Sequence, residues 1–281
     1  MYDAISQLKV VDMDQLCLHE THECVRLDKT CQSILVEGVL RNPPLAAKMK
    51  DGRYLILDGA HRTCSLQKLG CLRSVVQLVH DDFFQLESWH HVVPTGDWLD
   101  QLLQDPLLRV ETATSLTAES VSLLTADFAQ TLNTESANLV AIEPVATLVD
   151  STGTEYFFYP ASAADDPSSR LNAWHQIVTS YCRDHSVQRI AAGEVSIPSP
   201  GHVLLRYPAT TVEELDALVT ANQVMPAGVT RCIVQGRLLN LRVPLDLLTA
   251  PDFQEDVWEG LCDRWKQSLR LYSEAVYLCE V

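Results

Sequence analysis

Apolar positions along the chain fall into short runs that alternate with longer amphipathic stretches, the pattern of strands and helices in one mixed fold. Leu8 to Val11 reads as a strand and about Val25 to Val36 as a helix. Asn42-Pro-Pro44 then precedes a hairpin whose strands, Leu45 to Met49 and Arg53 to Leu57, flank Lys50-Asp51-Gly52, where Asp-Gly is a favoured tight-turn pair. Leu66 and Leu69 carry helical spacing from about His61 to Gly70, Ser74 to Val79 reads as a strand, and a helix is expected from Asp81 through Phe83, Phe84, Leu86 and Trp89. From Glu111 to Asn138 the chain is rich in Thr, Ser and Ala and fits either a weakly amphipathic helix or a connection. Beyond it the pattern predicts a hairpin (Ala141 to Val149, Glu155 to Tyr159) and a helix from about Arg170 to Arg183. A strand (Val203 to Arg206), a helix (Val212 to Ala221), a strand pair between Arg231 and Val243 and a helical tail from Asp252 follow. These elements make an α/β (α+β) protein in two lobes, 1–95 and 96–281.

The stretch with the most chemistry is Arg53-Tyr-Leu-Ile-Leu-Asp-Gly-Ala-His-Arg-Thr63, a buried strand that runs through a glycine into a helix. Gly59 permits a sharp turn, and the first helical turn aims unpaired N–H groups and the positive dipole end at whatever sits in front of it. His61 and Arg62 add cationic donors, and Asp58 could orient one of them or hold a metal. From the residues alone this turn reads equally as an anion site or as a tight connection whose His and Arg cap neighbours.

Composition narrows the partners. The chain has 281 residues, 47% of them hydrophobic, enough for a substantial core. Its 21 Lys and Arg against 37 Asp and Glu leave a net charge of −16, so a nucleic-acid backbone would be repelled over most of the surface. Arg53, Arg62, Lys68 and Arg73 form a local basic group on the scale of a nucleotide. Nine cysteines occur without a CxxC pair; Cys17, Cys24 and Cys31 recur at sevens, as do Cys64 and Cys71, which suits one helical face and a reduced, cytoplasmic setting. No run approaches the about eighteen continuous apolar residues of a membrane span.

Other motifs carry less. In His19-Glu-Thr-His-Glu23 the histidines are three apart, whereas a zinc-protease helix needs them at i and i+4, so a capped or solvated segment is the better reading. His90-His91 follows ordinary core aromatics. P-loop, nucleophile-elbow and dinucleotide fingerprints are missing from the sequence.

Asn42-Pro-Pro44, the hairpin, Leu57-Asp-Gly-Ala-His-Arg62 and Leu69-Gly70 before a strand together resemble the ParB/sulfiredoxin superfamily. Leu18-His-Glu20, Arg26-Leu27, Gly52-Arg53-Tyr54, Trp89 with His91, Val224-Met-Pro-Ala-Gly-Val-Thr-Arg231 and Gly236-Arg237 are similar to its free L-serine kinases, in particular the branch serving staphyloferrin B-type siderophores. Ala60 stands where sulfiredoxin has its cysteine, and Ala60-His61 replaces the Glu-Arg of the ParB partition motif, so neither of those activities is implied.

The resemblance implies a ParB/sulfiredoxin-like nucleotide-binding lobe over 1–95 and an α+β lobe over 96–281 that closes on serine. It implies phosphoryl transfer from ATP, or ADP as in the archaeal branch, with Mg²⁺, to free L-serine. Glu20 becomes the general base, with Glu23 the substitute, and Asp58 and His61 complete the catalytic group. Asp58, Gly59, Ala60, His61, Arg62 and Thr63 bind the nucleotide. Ser33, Trp89, His91, Thr230 and Arg231 bind serine, and metal ligands stay unassigned. The product, O-phospho-L-serine, would feed a pyridoxal-phosphate enzyme supplying 2,3-diaminopropionate. The rival implied by the same superfamily is a non-catalytic regulator that binds a nucleotide or effector.

Overall fold

A computed structural model describes residues 4–79, 84–112, 143–162, 167–272 and 276–279. Most of the Thr/Ser/Ala-rich stretch from Glu111 to Asn138 lies outside these residues. The chain divides into two compact units, Met1–Glu87 with Thr210–Val281, and Ser88–Ala209. A boundary near residue 95 with everything beyond it in one lobe therefore differs from this division, because the C-terminal segment packs with the N-terminal one.

The first unit is built on a five-stranded mixed sheet in the order β1-β6-β4-β5-β2. Its strands are β1 (Leu8–Asp12), β2 (Leu16–Leu18), β4 (Leu45–Lys48), β5 (Tyr54–Asp58) and β6 (Arg73–Leu78), with β3 (Val39–Leu40) standing apart. In β5, Tyr54, Leu55, Ile56 and Leu57 are all buried, the continuous apolar run expected of a strand covered on both faces. The hairpin forms as the Asp-Gly pair predicts: β4 and β5 pair antiparallel, and Gly52 takes φ +94° in the turn. β2 runs parallel to β5, with Leu18 opposite Ile56. Two helices, α1 (Cys24–Glu37) and α2 (Ala60–Lys68), pack against each other.

One core cluster joins both ends of the sequence: Ile34, Leu40, Leu66 and Val75 pack with Leu238, Leu247, Leu248, Leu261 and Trp265. Burying side chains of this size stabilises by about 1.5–3 kcal/mol each before entropy is counted, which is why the C-terminal segment belongs here.

The second unit is a six-stranded antiparallel sheet in the order β12-β8-β13-β10-β11-β9. It comprises β8 (His90–Pro94), β9 (Leu108–Thr112), β10 (Ala146–Val149), β11 (Glu155–Pro160), β12 (Gln188–Ile190) and β13 (His202–Arg206). Helices α3 (Asp97–Leu103) and α4 (Pro167–Cys182) belong to it.

The helix expected from Asp81 is two strands instead, β7 (Phe84–Ser88) and β8. Phe84 and Leu86 are half-buried around exposed Gln85, a period of two that the aromatic content disguised. The expected strand pair between Arg231 and Val243 also differs. β14 (Thr230–Val234) pairs with β7, while β15 (Arg237–Leu239) lies beside β18 (Val276–Cys279), and β16 (Val243–Pro244) pairs with β3. The tail is only partly helical. After α5 (Val212–Thr220) and α6 (Leu245–Thr249), α7 (Glu255–Ser268) gives way to β17 (Leu269–Leu271) and β18. No helix among the described residues is long and apolar enough to cross a membrane.

Candidate active site

Continuing the β2–β5 register two residues past Leu18 and Ile56 sets Glu20 level with Asp58 at the carboxyl ends of neighbouring parallel strands. Two carboxylates 38 positions apart in sequence are thereby brought together. Glu20 is held from the far side of the sequence. Its Oε2 accepts the Gly228 amide at 3.0 Å, Thr21 N donates to Met225 O at 2.9 Å, Met225 N to His19 O at 2.7 Å, and Ala227 N to Thr21 Oγ1 at 3.0 Å. His19 anchors the same turn to β5, its Nδ1 lying 2.5 Å from Ile56 O. A carbonyl only accepts, so Nδ1 carries the proton.

Two residues after Asp58 begins α2. Gly59, at φ +102°, is the residue that lets β5 turn directly into the helix, and a Cβ there would stand 2.8 Å from Arg62 Nη2. The first intrahelical bond is Thr63 N to Gly59 O, so the amides of Ala60, His61 and Arg62 precede the ladder and point toward the strand ends. Thr63 Oγ1 also turns back to Gly59 O, at 3.2 Å, and Ala60 is buried, so both serve through the backbone. His61 Nε2 accepts the Glu23 amide at 3.2 Å, which places its proton on Nδ1 rather than making it the cationic donor expected from sequence. His22 stands against it edge-on, with 6.4 Å between ring centroids.

Asp58 Oδ2 receives two guanidiniums, Arg62 Nη2 at 2.6 Å and Arg237 Nη2 at 3.1 Å. Loss of hydration pushes this carboxyl up, but the Arg62 and Arg237 charges outweigh it and hold the group below its ordinary value. Asp58 is thus ionised at neutral pH and accepts, not donates. Arg62 Nη1 binds the carbonyls of Asn42 and Pro43 at 2.7 and 3.0 Å, which explains the Asn-Pro-Pro turn as its seat. Arg237, in a motif quoted for the resemblance but given no role from sequence, is the residue that sequence reasoning missed. The Cys232 thiol of β14 is pushed up to about 12 by burial, with the Asp58 charge raising and the Arg237 charge lowering it.

Strand alternation then separates the residues expected to bind serine. Thr230 shares the parity of Cys232, and its Oγ1 is buried with no hydrogen-bond partner among the described residues. Arg231 has the opposite parity, and its Nη1 meets Glu87 Oε2 at 3.1 Å. Ser33 lies on the exposed face of α1, with Oγ 3.3 Å from Glu37 Oε1, and lines a groove of about 330 Å³ with Asn42 and Arg62. Trp89 and His91 belong to the second unit. His91 is fully buried there, its Nδ1 2.7 Å from Tyr181 Oη, which in turn is 2.5 Å from Tyr207 Oη. A sealed imidazole of this kind is a core polar group and does not present itself to a ligand. Replacing it (His91→Phe) should lower stability by about 1–3 kcal/mol in urea unfolding, with catalytic constants of the folded enzyme unchanged.

No protein-family model matches the chain. The ATP-dependent L-serine kinase SbnI of Staphylococcus aureus (strain NCTC 8325 / PS 47) is 35% identical over 276 residues, covering 97% of each protein. The chain belongs to the L-serine kinase family. The ADP-dependent L-serine kinase SerK of Thermococcus kodakarensis is 32% identical over 83 residues, 28% of this chain and 34% of that protein. Among solved structures, that of SbnI with a C-terminal truncation superposes with a TM-score of 0.72 at 32% identity, covering 94% of this chain and 98% of the other. A free serine kinase in complex with AMP shares the fold, with a TM-score of 0.61 at 19% identity over 86% of this chain and 93% of that one. An L-serine kinase needs a base, a phosphate cradle and a means of bringing them together. The first unit holds Glu20, Asp58 and the start of α2, the candidates for these roles.

Proposed function

We propose that this chain transfers the γ-phosphoryl group of ATP to the hydroxyl of free L-serine, giving O-phospho-L-serine and ADP. The observation that carries the reading is the register that sets Glu20 beside Asp58, two residues before the α2 N-terminus. The serine O–H bond breaks and its proton goes to Glu20. A bond forms from serine oxygen to phosphorus as the bond from phosphorus to the ADP oxygen breaks. Gly228 holds one Glu20 oxygen, which aims the other at the acceptor alcohol. The first-turn amides of α2 meet the phosphate oxygens, and Asp58 keeps the Arg62 guanidinium in place beside them.

Thr230 is the hydroxyl that this reading assigns to serine, because its Oγ1 is buried with no partner among the described residues, whereas Arg231 stays with Glu87. Ser33 is the further serine contact in this proposal. Among the described residues, Glu20 and Asp58 each have one carboxylate oxygen engaged by protein donors and one to spare, a donor set that suits Mg²⁺ arriving on the nucleotide. When bound, the ion would neutralise phosphate charge, with Asp58 meeting it through water.

We also assign the first unit to the ParB/sulfiredoxin-like superfamily and the activity to the cytoplasm. The product suits a pyridoxal-phosphate enzyme making 2,3-diaminopropionate for a siderophore. The net charge of −16 argues against strong nucleic-acid binding. Incubation with ATP, Mg²⁺ and L-serine should yield phosphoserine by mass spectrometry, with ADP as donor in a parallel reaction. Absence of phosphoserine from both overturns the proposal, and product from ADP alone reassigns the donor.

A further inference from the structure

We propose that Arg237 is a phosphate-binding catalytic residue, a second guanidinium that holds the transferring phosphoryl oxygens across Asp58 from the α2 N-terminus. The inference deepens the kinase reading and rests on it.

Charge is the first argument. Asp58 carries one negative charge and receives two guanidiniums, so the cluster has a net positive charge of one in a chain whose total is −16. Arg237 is also mostly withdrawn from water, its side chain 11% exposed. A desolvated cation that shares its only carboxylate among the described residues with another cation is costly unless an anion completes it. The α2 N-terminus, which begins two residues after the same carboxylate, favours negative charge nearby.

Preorganisation is the second. Arg237 does not reach the cluster on a flexible stem. Its Nη2 donates to Pro43 O at 2.8 Å as well as to Asp58, and its Nη1 lies 3.4 Å from Gln77 Oε1. Gln77 is fully buried and is itself fixed by Leu238 N at 2.9 Å, Gly236 O at 2.9 Å and Gln7 Oε1 at 3.0 Å. Two of these buried hydrogen bonds, to Gly236 and Leu238, therefore set the residues on both sides of Arg237. Rigid donors of this kind are worth most where charge develops during a reaction, since nothing has to reorganise.

The rival account makes Arg237 a structural staple between β15 and the Asn42-Pro43 turn. The wild-type chain and R237K distinguish the two through phosphoserine formation, pyrophosphate binding by calorimetry and thermal melting. We expect R237K to melt as the wild type does, to lose about a hundredfold in kcat, and to bind pyrophosphate about tenfold more weakly. Guanidinium chloride at low millimolar concentration should restore part of the turnover of R237A, which a staple would not show. Unchanged kcat and pyrophosphate affinity in folded R237K overturn the assignment while leaving the kinase reading intact. If the wild type makes no phosphoserine, the kinase reading fails, and the pyrophosphate comparison by itself upholds or rejects the anion site. Should R237K not fold, the assigned Arg237 Nε–H resonance of the wild-type chain decides: it shifts on pyrophosphate titration, or the proposal is wrong.

Discussion

Glu20→Gln should reduce phosphoserine formation by about 10²–10⁴-fold while nucleotide affinity stays near the wild-type value. The amide keeps the shape of the carboxylate, and its oxygen can still accept the Gly228 N–H, so the link between the β2 end and the 225–228 segment persists. What is lost is the ability to take the serine proton as the phosphoryl group arrives. The effect should therefore fall on kcat, with the KM for serine little changed, in a steady-state assay that follows phosphoserine directly. Glu23→Gln is the control, because Glu23 is exposed at the start of α1 and meets His61 through its backbone amide, not its carboxylate. Full turnover in the Glu20 variant, or a comparable loss in the Glu23 variant, would mean that the proton goes elsewhere.

A second large effect is expected at Gly59. Alanine there must adopt φ +102° and also place a methyl group 2.8 Å from Arg62 Nη2, so the guanidinium has to leave Asp58. The backbone strain should cost about 1–3 kcal/mol of stability. Displacement of Arg62 should weaken nucleotide binding by more than about tenfold, since a charge-assisted contact and its geometry are both lost. Gly52→Ala separates the two causes. It imposes a similar positive φ, +94°, with no atom within 4 Å of the new Cβ, so it should lower stability in urea and leave calorimetric nucleotide affinity intact. Equal affinity losses in both variants would show that strain, not the Asp58–Arg62 pair, controls the site.

The hairpin, β5, the glycine turn and α2 were legible because each rests on local rules: an apolar run, an Asp-Gly pair, a glycine before helical spacing. The second sheet was less so. Phe84 and Leu86 alternate around Gln85, but three aromatic residues between Phe83 and Trp89 fit a helix as easily, and only pairing with β14 selects the strand. Arg231 looked like the natural partner of a substrate carboxylate until strand parity turned it to Glu87 and turned Thr230 the other way. His91 looked accessible beside Trp89, yet its ring is closed in with Tyr181 and Tyr207.

By itself the sequence determined the strand–glycine–helix turn, since a strand, a glycine with positive φ and a following helix are dictated by neighbours in the chain. It also determined the net charge of −16, because charge is additive over residues and needs no fold. Tertiary structure decided what the turn faces. Glu20 reaches Asp58 only through the parallel register of β2 and β5, Gly228 reaches Glu20 across 208 positions, and Arg237 reaches Asp58 across 179. Contacts at such separations depend on which surfaces bury together, a property of the whole core that no local pattern contains.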